Sequence, residues 1–197
     1  MIRFKLVVLF FAIHISGTVF GQQYPKDVLS HKVIVNHGDR TIVAYTKPFK
    51  PGNPKTDRQY YWFKHNAIGS TQGGYSGKPL NGPFQEFYAN KQLSVAGNMN
   101  LGLKHGVWKS WNQAGQLSED YTWSKGIKSG LYHRYDSLGK AMETGVYKNN
   151  LLNGKQITLI GDSVKVIRYH NGQVVAPKVK SPGYIKRFFN KIKPKFL

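Results

Sequence analysis

The chain holds no cysteine among its 197 residues. That excludes a disulfide framework, a thiolate metal site, a catalytic thiol and a lipid-bearing cysteine. Acid is scarce as well, 9 Asp and Glu against 29 Lys and Arg. So few carboxylates leave little material for acid–base catalysis, while the excess of cations bears on solubility and anionic partners rather than on fold. Long apolar runs are also missing: Leu6 to Ile15 contains His14 and falls well short of the ~20 residues that a membrane-spanning helix needs. With Arg3 and Lys5 before it and Val19-Phe20-Gly21 after it, this stretch reads as a signal peptide over residues 1–21, cleaved before Gln22. The expectation is an exported protein, periplasmic or extracellular. Without Arg3 and Lys5 it keeps 27 basic against 9 acidic residues, a net of +18.

What the chain has in place of these is repetition. Gly82, Gly106, Gly130 and Gly154 recur at a 24-residue step, and so do Phe84, Trp108 and Tyr132, and Phe87, Trp111 and Tyr135. A shared period of this kind outranks other signals in deciding architecture. The best-formed copy, Leu103 to Gly126, reads LKHGVWKSWNQAGQLSEDYTWSKG. Its two β-favouring runs, Val107 to Trp111 and Gln116 to Trp123, are parted by Asn112-Gln113-Ala114-Gly115, which is the pattern of a hairpin. In the second run Leu117, Glu119, Tyr121 and Trp123 alternate with Ser118, Asp120 and Thr122, so one face carries the larger side chains. In the first run the two aromatics are three apart, which on a regular strand sends them to opposite faces; a bulged strand or a sheet that uses both faces accounts for this. Glycine and turn clusters interrupt the chain too often to leave room for a helix of ordinary length. Gly102, Gly126 and Asn150 mark the turns between copies, glycine and asparagine being the residues that tolerate positive φ.

The runs Gly102-Leu-Lys-His-Gly-Val-Trp-Lys-Ser-Trp-Asn-Gln-Ala-Gly-Gln-Leu and Gly126-Ile-Lys-Ser-Gly-Leu-Tyr-His-Arg-Tyr-Asp-Ser-Leu-Gly-Lys resemble the MORN-repeat variant of bacterial proteins. Many of those are described as antitoxin components of toxin–antitoxin pairs. The resemblance runs from near Tyr60 to near Val174. It implies an elongated antiparallel sheet of stacked hairpins, structural rather than catalytic signature positions, and an antitoxin or immunity-like binder of a partner toxin as one functional reading.

Taken in order, Lys32 to Val35 and Arg40 to Tyr45 form a hairpin about Asn36-His37-Gly38-Asp39, and the proline-rich stretch Lys47 to Asp57 is a loop. Residues 22–58 are thus an N-terminal hairpin and loop, and residues 59–177 a repeat array. Tyr60 and Phe63 stand one period before Phe84 and Phe87 and make a degenerate first copy. The tail, residues 178–197, carries seven basic residues and no acid. Its Ile185, Phe188, Phe189 and Ile192 share one face of a short helix that Pro194 ends. That helix either caps the open sheet or lies on an anionic surface, in which case Lys186, Arg187, Lys191, Lys193 and Lys195 with Phe188 and Phe189 supply the contact. The fold expected is all-β: a single elongated antiparallel sheet of tandem 24-residue hairpins with a short basic C-terminal helix.

A search for chemistry finds no catalytic, cofactor or metal motif. His105, His133 and His170 lack a second ligand at metal spacing, and His105 falls at a turn place. Glu119 and Asp120 are neighbours on a strand and point apart. Glu86, Glu119 and Glu143 are the carboxylates on which an envelope glycan-acting enzyme would have to depend, in a cleft between the N-terminal part and the sheet. Basic residues among aromatics suit single-stranded nucleic acid, but export and a period shared with the fold disfavour that partner. The function expected is a non-enzymatic interaction or surface-binding scaffold of the bacterial envelope, its partner a protein or an anionic membrane or polymer.

Overall fold

The computed structural model describes residues 30–48 and 52–176. The expected signal peptide and the basic tail with its expected helix lie outside the described residues. Those residues form strands and turns, with no helix among them.

The hairpin of β1 (His31–His37) and β2 (Arg40–Thr46) turns at Gly38 and Asp39, with Gly38 at φ 59°. It opens the large sheet, because β2 pairs with β6 (Gly82–Phe87) rather than with the strand that follows it in sequence. From there the chain meanders through β7 (Leu93–Asn100), β8 (Leu103–Trp111), β9 (Leu117–Ser124), β10 (Ile127–Tyr135) and β11 (Ala141–Lys148). The short β12 (Leu151–Leu152) pairs back on β11. β13 (Gly154–Ile160), β14 (Ser163–His170) and β15 (Gln173–Val174) complete a sheet of 12 antiparallel strands.

The same joints recur at a 24-residue step. The turns after β6, β8 and β10 close through paired backbone bonds at Tyr88 and Gln92, Asn112 and Gln116, and Asp136 and Lys140, with Lys91, Gly115 and Gly139 at positive φ. The side chains of Asn112 and Asp136 each accept from two backbone N–H groups of their own turn. At the other end of each hairpin Gly102 and Gly126 have φ 81° and Asn150 has φ 65°, the conformation expected of those three positions. Their N–H groups donate to carbonyls almost a full repeat earlier, at Leu80, Lys104 and Lys128. Register slips recur in step too, between Glu86 and Phe87, Ser110 and Trp111, and Arg134 and Tyr135. The extra residue of each bulge is Ser94, Ser118 or Met142 on the returning strand.

The paired aromatics do lie on opposite faces. Tyr132 stands opposite Tyr121 and bonds Glu143, whereas Tyr135 bonds Asp120 on the other side. Phe84, Trp108 and Tyr132 are the buried members, on what we call the inner face. Gly82, Gly106, Gly130 and Gly154 all hold positive φ. At Gly106 and Gly130 they sit within a second irregularity, where β8 and β10 gain residues over their neighbours.

The expectation of one sheet is corrected. β3 (Gln59–Lys64), β4 (Ala67–Gln72) and β5 (Lys78–Pro79) form a second, three-stranded sheet, so Tyr60 and Phe63 do not begin the array. The reason is an apolar surface needing cover: Ala44, Phe84, Met99 and Trp108 on the large sheet cluster with Leu80, and Tyr61, Phe63 and Ile68 of the small sheet pack onto them. Burying a large apolar side chain contributes about 1.5–3 kcal/mol. Backbone bonds from Tyr61 to the Gly102 carbonyl (2.7 Å) and from Leu80 to the Tyr61 carbonyl (3.0 Å) fasten the lid.

Candidate functional site

Beyond β8 the inner face continues without the small sheet above it, and its side chains change character. The register places Trp123, Tyr121 and Glu119 of β9 against Lys128, Tyr132 and Arg134 of β10, and Arg134 and Tyr132 against Glu143 and Gly145 of β11. The Tyr121 and Tyr132 rings stack with centroids 5.4 Å apart and planes 6° from parallel, and Tyr147 tilts against both. Two lysines thread this surface. Lys104 lies 4.5 Å from the centroid of Trp108 and 5.0 Å from that of Trp123, and Lys128 lies 3.6 Å from that of Tyr121 and 5.2 Å from that of Tyr147. Ammonium groups over ring faces are held by the ring quadrupole, the more so where water is excluded.

Burial sets the protonation of this surface. Desolvation pulls the Lys104 ammonium below its usual pKa, and the nearby charge of Lys128 adds to it; Lys128 is lowered by desolvation in turn. Desolvation raises the Tyr121 hydroxyl to about 12, with Glu119 reinforcing it, and Tyr147 moves up for the same first reason. Tyr132 rises furthest: it is desolvated, and its hydroxyl donates to Glu143 at 2.8 Å while accepting from Gln156 at 2.9 Å. The tyrosines of this surface therefore remain neutral hydrogen-bonding groups at physiological pH.

The carboxylates do not assemble into a pair. Glu86, Glu119 and Glu143 lie in one row across the sheet, on β6, β9 and β11, with Arg134 between the latter two. Glu86 is taken by Arg40, whose Nη1 donates to it and to the buried Ser94 hydroxyl, both at 2.7 Å. A cleft of about 440 Å³ does open between the N-terminal hairpin and the small sheet, but it is lined by His31, Thr46, Lys47, Tyr75, Lys78 and their neighbours without a carboxylate.

On the opposite face sequence reasoning missed a polar cluster. Asp120 accepts from Tyr135 at 2.7 Å through one oxygen and lies 2.9 Å from His133 Nδ1 through the other. Desolvation, then the bond to Asp120, raises the Tyr135 hydroxyl to about 12. The alternation that separates Glu119 from Asp120 was the available signal: opposite Asp120, His133 and Tyr135 are two apart on the facing strand and share its side. His105 is no turn residue. It lies in β8 opposite Asn98, exposed, since the turn falls earlier at Leu101 and Gly102. Lys104 and Lys128 stood in the quoted repeats, one period apart, without an assigned role. Among the described residues no group of three or more His, Asp or Glu is placed to hold a metal ion. The tail cations, Lys186 to Lys195, lie outside the described residues. Comparisons with protein-family models, with curated proteins and with solved structures return no match.

Proposed function

We propose that this protein is an exported, non-enzymatic interaction protein, a tandem array of one 24-residue hairpin that presents its sheet to a protein or to an anionic surface of the bacterial envelope. The observation that carries the proposal is the uncovered inner face of β9 to β11, where Tyr121, Trp123 and Tyr147 are only half-buried and are interleaved with Lys128. Aromatic rings held in place by a sheet meet a partner with little loss of side-chain freedom, and tyrosine and tryptophan are among the residues that carry most of the energy in protein interfaces. The net positive charge of the chain adds attraction for acidic surfaces.

The test is crosslinking of the full chain in its native envelope, run beside binding to anionic liposomes. The reading expects a protein captured in fixed ratio, or liposome binding that salt weakens, either one reduced by Tyr121→Ala with Lys128→Glu. Removal of residues 183–197 tells whether Lys186, Arg187, Lys191, Lys193 and Lys195 contribute to the liposome arm. The absence of both capture and liposome binding would sink the proposal, and a toxic protein as the captured partner would select the antitoxin-like form of it.

A further inference from the structure

The last full strand of the large sheet has an edge that the described residues leave open. β14 pairs with β13 along its length, from Ser163 opposite Ile160 to Tyr169 opposite Gly154. On its other side β15 reaches only Tyr169 and His170, and one further bond runs from the Val175 N–H to the Arg168 carbonyl at 2.8 Å. In an antiparallel ladder the N–H and C=O of a residue point to the same side, and the side alternates along the strand. Arg168 faces β15, so Val166 and Val164 also direct their backbone groups outward, while Ile167 and Lys165 face β13. The side chains of Val164 and Val166 are 60% and 52% exposed.

A continuation of β15 in the same register would leave a gap in this ladder. In the register of β15 residue 175 stands opposite 168, so residue 177 would fall opposite 166. That residue is proline, which has no N–H to give to the Val166 carbonyl. An open edge with β-branched residues is a template for another strand. Its surroundings are basic: Lys155, Lys165 and Arg168 against Asp162 alone over β13, β14 and their turn.

We propose that the Ser163 to Ile167 edge of β14 takes up an extended acidic segment of a partner protein as an added strand. The proposal rests on the interaction reading above and names the chemistry of the partner. A second copy of this chain is the poorer occupant, because it brings the same Lys155, Lys165 and Arg168 to the edge, and pairing Val164 with Val166 sets Lys165 opposite Lys165, like charges that destabilise a ladder when directly opposed.

Fluorescence anisotropy of the full chain with a short labelled peptide alternating glutamate and valine tests it. Binding is expected, and it should weaken about tenfold or more when the peptide carries lysine for glutamate, or when its alternate amides are N-methylated so that they cannot pair. Val166→Pro removes an outward N–H and leaves the bonds to β13 in place, so it should cost a similar factor. The peptide arms use the unaltered protein and hold even if that variant folds poorly. Equal binding by the N-methylated peptide, or undiminished binding by folded Val166→Pro, overturns the proposal. So does a dimer in sedimentation that Val166→Pro abolishes, which would give the edge to a second copy. Peptide binding that appears only after residues 178–197 are removed would give it to the tail and overturn the proposal equally. If Val166→Pro still captures the envelope partner, the edge is wrong and the interaction reading stands; if neither form captures one, the interaction reading itself has failed.

Discussion

A ring laid over a glycine of a neighbouring strand is the joint that shapes the inner face. A Cβ on Gly97 would run into the Trp108 indole, and one on Gly145 would come within 2.7 Å of the Tyr132 ring. The place between them, one period from each, is Tyr121. Large and absent side chains thus alternate along that face. Alanine at Gly97 or Gly145 should cost about 1–3 kcal/mol by overpacking, read as a lower denaturant midpoint at unchanged slope. Gly52, with open space around it, is the control and should show no change on the same substitution. The tyrosines supply a second prediction. Tyr121 and Tyr135 titrate at about 12 in the folded chain, above the ~10 of an unfolded tyrosine. The folded state therefore keeps protons that the unfolded state releases. Their contribution is whole below pH ~10 and is lost as pH rises through the folded value. Tyrosinate absorbance should rise late and together with unfolding, and Tyr135→Phe should remove part of the late component. A component with the midpoint of free tyrosine at both positions would contradict this.

At the scale of the hairpin, much was legible in the sequence. The period shows because each joint demands a special residue: positive φ at the turns, and an aromatic pair split between the faces. Glu119 and Asp120 separate as a strand requires, and the residues that share a face with Asp120 could have been found by laying His133 and Tyr135 opposite it. The small sheet was not legible. Tyr60 and Phe63 keep the same step to Phe84 and Phe87, yet spacing along a chain does not say which surface needs covering, and the apolar end around Ala44 and Met99 decided that. The turns also yield a prediction against the usual direction of mutation. Lys91 holds φ 64° at the place that glycine fills as Gly115 and Gly139. An L-residue with a full side chain sits there at a cost, so Lys91→Gly should raise stability by about 1 kcal/mol, measured by chemical denaturation. A loss of stability would mean that Lys91 makes a contribution beyond its backbone.

For the whole molecule, cover is unequal. The cluster of Ala44, Leu80, Phe84, Met99 and Trp108 is sandwiched between two sheets, while β14 is exposed along most of its length and carries Val164 and Val166 in the open. Local opening is easiest where few apolar groups are buried. Amide hydrogen exchange should therefore be slowest in β6 to β8 and roughly tenfold or more faster in β13 and β14, in the full chain without a partner. Uniform protection across the strands would show that something covers the far end.

The bonds that Gly102, Gly126 and Asn150 make to carbonyls of the preceding repeat give this architecture a freedom that most folds lack. The seams at Gly126 and Asn150 join neighbouring strands of the large sheet, so a duplicate of residues 103–126 spliced in after Gly126 should find the same seam on either side. Lengthening by that unit leaves Trp108 and the small sheet over it in place. The large sheet can thus gain strands in its middle while the covered end around Ala44 and Met99 stays as it is.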